Sequence, residues 1–88
     1  MKRYDFVTFS WGSSRVVVIL TDQSCSTEAL AKIDQASQLR WPEYLRVFCR
    51  EGEEGEADFV GANDEILSII NGCPMDHLKG LVTGKIAA

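Results

Sequence analysis

Residues 15–21, Arg-Val-Val-Val-Ile-Leu-Thr, decide the fold. After Val16 come Val17, Val18, Ile19 and Leu20, with no polar position set aside for water. Such an unbroken run predicts a strand at the centre of a sheet, buried on both faces. Just upstream, residues 4–11 alternate. Val7, Phe9 and Trp11 share one side, and Tyr4, Phe6 and Thr8 share the other, which is the pattern of a second strand. Gly12-Ser13-Ser14 supplies the turn between them, so the chain opens on a β-hairpin.

Polar residues 22–26 end the hairpin, and Ser24 or Ser26 is placed to cap a helix. Over residues 27–39 the apolar positions Ala29, Leu30, Ile33, Ala36 and Leu39 recur at helical spacing, with Glu28, Lys32, Gln35 and Gln38 on the wet side. Pro42 excludes helical geometry at Trp41 and stops the helix. Residues 44–50 alternate again, with Leu45, Val47 and Cys49 opposite Tyr44, Arg46, Phe48 and Arg50, and predict a third strand. Residues 57–60 predict a shorter fourth strand, paired with the third across the turn at residues 51–55.

Asn63 then caps a second helix. Asp64 and Glu65 sit in its first turn, where the helix dipole favours negative charge, and Ile66, Leu67, Ile69 and Ile70 form its apolar side. Asn71-Gly72 and Pro74 close it. Met75, Leu78, Leu81 and Val82 predict one or two further helical turns on the sheet edge, and residues 85–88 are expected to fray.

The order is hairpin, helix, hairpin, helix, tail, with Tyr4 and Val7 matching Tyr44 and Val47 at an offset of 40. Two similar ββα units are expected to pool their apolar faces. The predicted class is α+β, a single domain over residues 1–88 with a four-stranded antiparallel sheet and both main helices on one face.

Charge narrows the function. The chain has 88 residues and a net charge of -4, with 45% apolar and 25% charged residues. Residues 50–58 carry one arginine and five carboxylates, so the whole excess sits there and the remainder is balanced. A balanced body lacks the clustered Lys and Arg that displace counterions from nucleic acid or bind an anionic membrane. Direct nucleic-acid and membrane partners are therefore not expected.

No apolar run approaches the roughly 20 residues that cross a bilayer, and the charged start is followed by Tyr4-Asp5 rather than a signal segment. Cys25, Cys49 and Cys73 are odd in number and form no familiar pairing motif. The expected compartment is the cytoplasm, with reduced thiols.

The inventory for chemistry is thin. His77 is the one histidine, and a cysteine nucleophile would need it in contact together with an orienting third group. The acidic stretch lacks the alternation and the distal Glu of a calcium loop, and three cysteines with one histidine lie too scattered for zinc. Residues 80–86 lack the spacing and the Ser or Thr of a phosphate-binding loop. No enzyme, metal or cofactor is expected.

What remains is binding. If both helices cover one face, then Tyr44, Arg46, Phe48 and Arg50 stand on the open one. Arg50 is expected opposite Glu56, with Phe48 opposite Asp58. Aromatics alternating with arginine suit a protein interface. Glu53, Glu54 and Glu56 would steer a basic partner, and a large open patch would draw copies of the chain into a homo-oligomer, a homodimer in the simplest case. An acidic decoy occupying the basic groove of a nucleic-acid-handling protein is the alternative. A small-molecule binder or small enzyme with a helix–sheet pocket near Cys49 and His77 is the third class.

Overall fold

The computed structural model describes residues 3–21, 26–51, 57–61, 64–70 and 75–87. Among the described residues, five strands and three helices follow in the order β1 (Arg3–Trp11), β2 (Ser14–Thr21), α1 (Thr27–Arg40), β3 (Leu45–Glu51), β4 (Ala57–Gly61), α2 (Asp64–Ile70), α3 (Met75–Gly80) and β5 (Gly84–Ala87). The strands form one sheet in the order β4-β3-β2-β1-β5. The mixed α+β class is as expected. The sheet is not the expected four-stranded antiparallel one.

β1 and β2 form the opening hairpin, in a register that sets Phe6 opposite Ile19 and Trp11 opposite Ser14. β2 and β3, by contrast, run parallel, Val16 beside Leu45 and Thr21 beside Arg50. The crossover explains this. A helix of 14 residues at about 1.5 Å per residue spans ~21 Å, enough to carry the chain back along β2 so that β3 starts again at the same end. β3 and β4 then pair antiparallel as a second hairpin.

The parallel pair needs cover on both faces, and both faces have it. On one, Val7, Val16, Val18, Leu20, Val47 and Cys49 pack with Ile66 of α2 and Leu78 of α3. On the other, Tyr4, Phe6, Val17, Ile19 and Ile86 pack with Ile33 of α1 and with Trp41. All six residues from Val16 to Thr21 are buried as a result. The expectation that both main helices share one face is thereby corrected. The two ββα stretches are not copies in space, because their helices lie on opposite sides of the sheet.

α1 begins as read. The Ser26 hydroxyl accepts from the Ala29 amide at 3.1 Å, a cap that satisfies one of the first unpaired N–H groups. It ends at Trp41, whose backbone N–H donates to the Ser37 carbonyl at 2.7 Å. Its buried line differs from the expected one, since Ile33 and Ser37 are fully buried whereas Leu39 is 87% exposed. At about 100° per residue, Leu39 stands roughly 120° round from Ile33, while Arg40 stands only about 20° away. Arg40 accordingly lies over the rings of Phe6 and Trp41, at 4.8 and 4.9 Å. Ser37 is tolerated inside because its hydroxyl donates to the Asp34 carbonyl at 2.8 Å.

The tail is the second departure. Residues 84–87 do not fray but add β5 to the free side of β1, Ile86 beside Tyr4 and Lys85 beside Asp5. Burial of Ile86 and a 3.2 Å ion pair between Lys85 and Asp5 hold the strand. Thr83 extends the attachment, its amide donating to the Phe6 carbonyl at 2.8 Å. Gly84 matters here because any Cβ would meet the Phe6 ring at 3.0 Å.

Candidate functional site

The four residues expected on an open face divide into covered and uncovered. They do share one side of β3, but α1 crosses over that side. Phe48 is half-buried against the cluster that contains Ile33 and Trp41. The Arg46 Nε donates to the Asp34 carboxylate of α1 at 3.4 Å, with the arginine side chain 24% exposed. Tyr44 is half-buried beneath Trp41, the ring centroids 6.3 Å apart. Arg50 alone of the four is exposed. The open recognition face through Arg46 and Phe48 is therefore corrected. Once α1 is the crossover between parallel strands it must lie on one face while α2 and α3 take the other, and no whole face stays bare.

The register of the second hairpin is also offset from expectation. Arg50 lies opposite Asp58 and Phe48 opposite Val60, two positions from the pairing with Glu56. The side on which each residue stands is unchanged, because a slip of two preserves the alternation. Gly61 ends β4 with φ at +112°, and a Cβ there would stand 3.0 Å from the Arg46 carbonyl. Glu53, Glu54 and Glu56, along with Cys25 and Cys73, lie outside the described residues. In sequence the acidic segment lies between β3 and β4, whose register pairs Arg50 with Asp58.

Two stretches of the α1 side remain open. One is the outer strip of β4, where Val60 is 50% exposed beside half-buried Phe48. Among the described residues no strand pairs with the far side of β4. The sheet's other outer strand, β5, presents the same backbone pattern, but it has four residues and carries Lys85, and edge lysines oppose pairing with further strands.

The other open stretch lies at the opposite end, where the β1–β2 turn meets the start of β3. Ser13, Ser14, Arg15, Glu43 and Tyr44 line a depression of about 470 Å³. Thr8, Phe9, Ser10, Arg15 and Tyr44 line a smaller one of about 170 Å³. The two share Arg15 and Tyr44, whose guanidinium and hydroxyl meet at 3.5 Å. In the sequence Arg15 fits the pattern simply as the first residue of a strand. Its signal was a lone cation directly before five apolar residues, beside a Gly-Ser-Ser turn.

The Cys49 side chain is fully buried. His77 is exposed on α3, and α3 packs against the same face as Cys49 through Leu78. Among the described residues no three His, Cys, Asp or Glu side chains converge as metal ligands. Among the same residues no helix is long and apolar enough to cross a membrane. No protein-family model, curated protein or solved structure matches the chain.

Proposed function

We propose that the chain is a non-catalytic protein-binding module that adds an extended, basic segment of a partner to the outer edge of β4. The observation that carries the reading is the combination at that edge of an unpaired backbone ladder among the described residues and a half-exposed valine. Edge strands with apolar side chains and no lysine readily accept a further strand. Val60 then offers an apolar contact next to Phe48. The chain's excess negative charge, the carboxylates at 51, 53, 54, 56 and 58, is concentrated in sequence around the start of β4, and such a charge raises the encounter rate of a positively charged segment.

A peptide alternating lysine with valine is the probe, followed by backbone amide shifts in the intact chain. Support is a saturable response centred on residues 57–61, weakened at high salt and lost in Val60→Lys. No saturable response, or one unchanged by Val60→Lys, overturns the reading. Binding that survives Val60→Lys yet vanishes on charge reversal of Glu53 and Glu54 would instead favour the acidic decoy. Solution mass tests the homo-oligomer expectation, and a dimer that Val60→Lys converts to monomer would make a second copy the occupant of the edge.

A further inference from the structure

We propose that the groove shared by Arg15 and Tyr44 binds a small phosphorylated polyol, the phosphate on Arg15 and the hydroxyls toward Glu43. The site stands apart from the β4 edge. It lies at the starting ends of β2 and β3, on Arg15 and Tyr44, whereas Val60 of β4 pairs with Phe48 further along β3.

A guanidinium presents five N–H donors in a fixed plane and favours bidentate contact with phosphate oxygens. Among the described residues the Arg15 side chain has one polar partner, the Tyr44 hydroxyl at 3.5 Å, which is at the outer limit of a hydrogen bond. Arg15 lines both depressions. Ser13 and Ser14 line the larger depression with it and Ser10 and Thr8 the smaller, the Thr8 hydroxyl also meeting that of Thr83 at 3.4 Å. Hydroxyl and backbone donors grouped around one arginine can share the oxygens of a phosphate monoester.

Glu43 argues for more than a bare anion. Its carboxylate would repel a phosphate held next to it, but as an acceptor it suits the hydroxyl groups of a polyol held a few ångströms further along. The roughly 470 Å³ of the larger depression falls within the range of about 300–1,000 Å³ typical of small-molecule sites. Tyr44 is a firm wall, because Trp41 packs on its ring and Trp41 is itself held edge-on to Phe6 at 4.7 Å.

The test is an amide-shift titration of the whole chain with glucose 6-phosphate, with inorganic phosphate and glucose in parallel. Glucose 6-phosphate is expected to move the amides of Ser13, Ser14, Arg15 and Tyr44 saturably, with a Kd near or below roughly 1 mM. Phosphate alone should bind at least tenfold more weakly and glucose not measurably. Arg15→Gln should weaken binding by at least tenfold and Tyr44→Phe by about threefold. Arg15 is exposed, and the phenylalanine keeps the ring under Trp41, so unfolding would not imitate either loss. No saturation up to roughly 10 mM, equal binding of phosphate and glucose 6-phosphate, or full binding by Arg15→Gln each overturns the assignment.

Discussion

Ile33→Ala should be the most damaging truncation on α1, and its size follows from how the helix is attached. Ile33 is the one fully buried aliphatic side chain on α1, held among Val17, Ile19, Phe6 and Trp41, with Ala29, Leu30 and Ala36 half-buried around it. Removing its three outer carbons forfeits ~2.4 kcal/mol at about 0.8 kcal/mol per buried carbon. A cavity contribution raises this, and the better helix propensity of alanine returns a few tenths, which leaves about 3 kcal/mol. A chain of 88 residues is stabilised by only ~4–13 kcal/mol in all, so the loss is large. In urea unfolding the midpoint should fall with an unchanged slope, and the melting temperature should drop by roughly 12–24 °C. Leu39→Ala is the control. The sequence pattern placed both side chains on the packed side, but Leu39 is 87% exposed, and its truncation should change stability by no more than about 0.5 kcal/mol. If the two variants cost the same, or Ile33→Ala costs less than about 1 kcal/mol, then α1 is not seated on the sheet through Ile33 and the covered face described above is wrong.

Three other outcomes follow from the same packing. Arg40 lies over Phe6 and Trp41 and donates to the Lys85 carbonyl at 3.0 Å, so Arg40→Ala should cost about 1–2 kcal/mol and speed hydrogen exchange in β5 while leaving β3 protected. Gly61→Ala combines a positive φ with a Cβ 3.0 Å from a carbonyl oxygen, and equilibrium unfolding should show a loss of about 1–3 kcal/mol. A double-mutant cycle on Asp34 and Arg46 should give a coupling of about 0.5 kcal/mol that shrinks with added salt, because the pair is long at 3.4 Å and its carboxylate is 40% exposed. A coupling of zero at low salt would mean that the contact does not form.

The elements were legible in the sequence where local chemistry alone fixes them. Alternation marked β1 and β3, the serine cap and Pro42 bounded α1, and the glycine-punctuated acidic turn marked the second hairpin. Their assembly is less legible, because it depends on which faces of the sheet the helices take. Residues 16–20 demand cover on both faces, which is at odds with placing both helices on one. That demand already implied helices on opposite sides, and opposite sides imply a crossover and a parallel central pair. β5 went unread because its pairing depends on distant partners. Ile86 gains its burial beside Tyr4, and Lys85 its ion pair from Asp5, each about 80 residues earlier in the chain. Leu39 misled because an apolar residue at the end of a helical stretch fits the period without facing the core, and Arg40 took the inward position instead.

The same geometry explains why the open surface has the shape it does. Five strands at about 4.8 Å spacing make a sheet ~19 Å wide between its outer strands, whereas one helix with its side chains is about 10–12 Å across. On the face that β2 and β3 share with α1, one helix cannot cover everything. Asp34 reaches Arg46 on β3 while Arg40 reaches Phe6 on β1 and Lys85 on β5, so α1 sits over the middle strands and leans toward β5. What it leaves bare is set by subtraction: the outer strip at β4 with Val60, and the end at Ser10, Arg15 and Tyr44. These are the two places proposed for binding, and they differ in chemistry, the first apolar at Val60 and the second lined by serines, a threonine and a cation. Arg46→Glu, which would test an open face, instead sets two carboxylates against each other under α1 and disturbs the fold. Val60→Lys and Arg15→Gln change only the surface, so loss of binding in either can be read as loss of a contact.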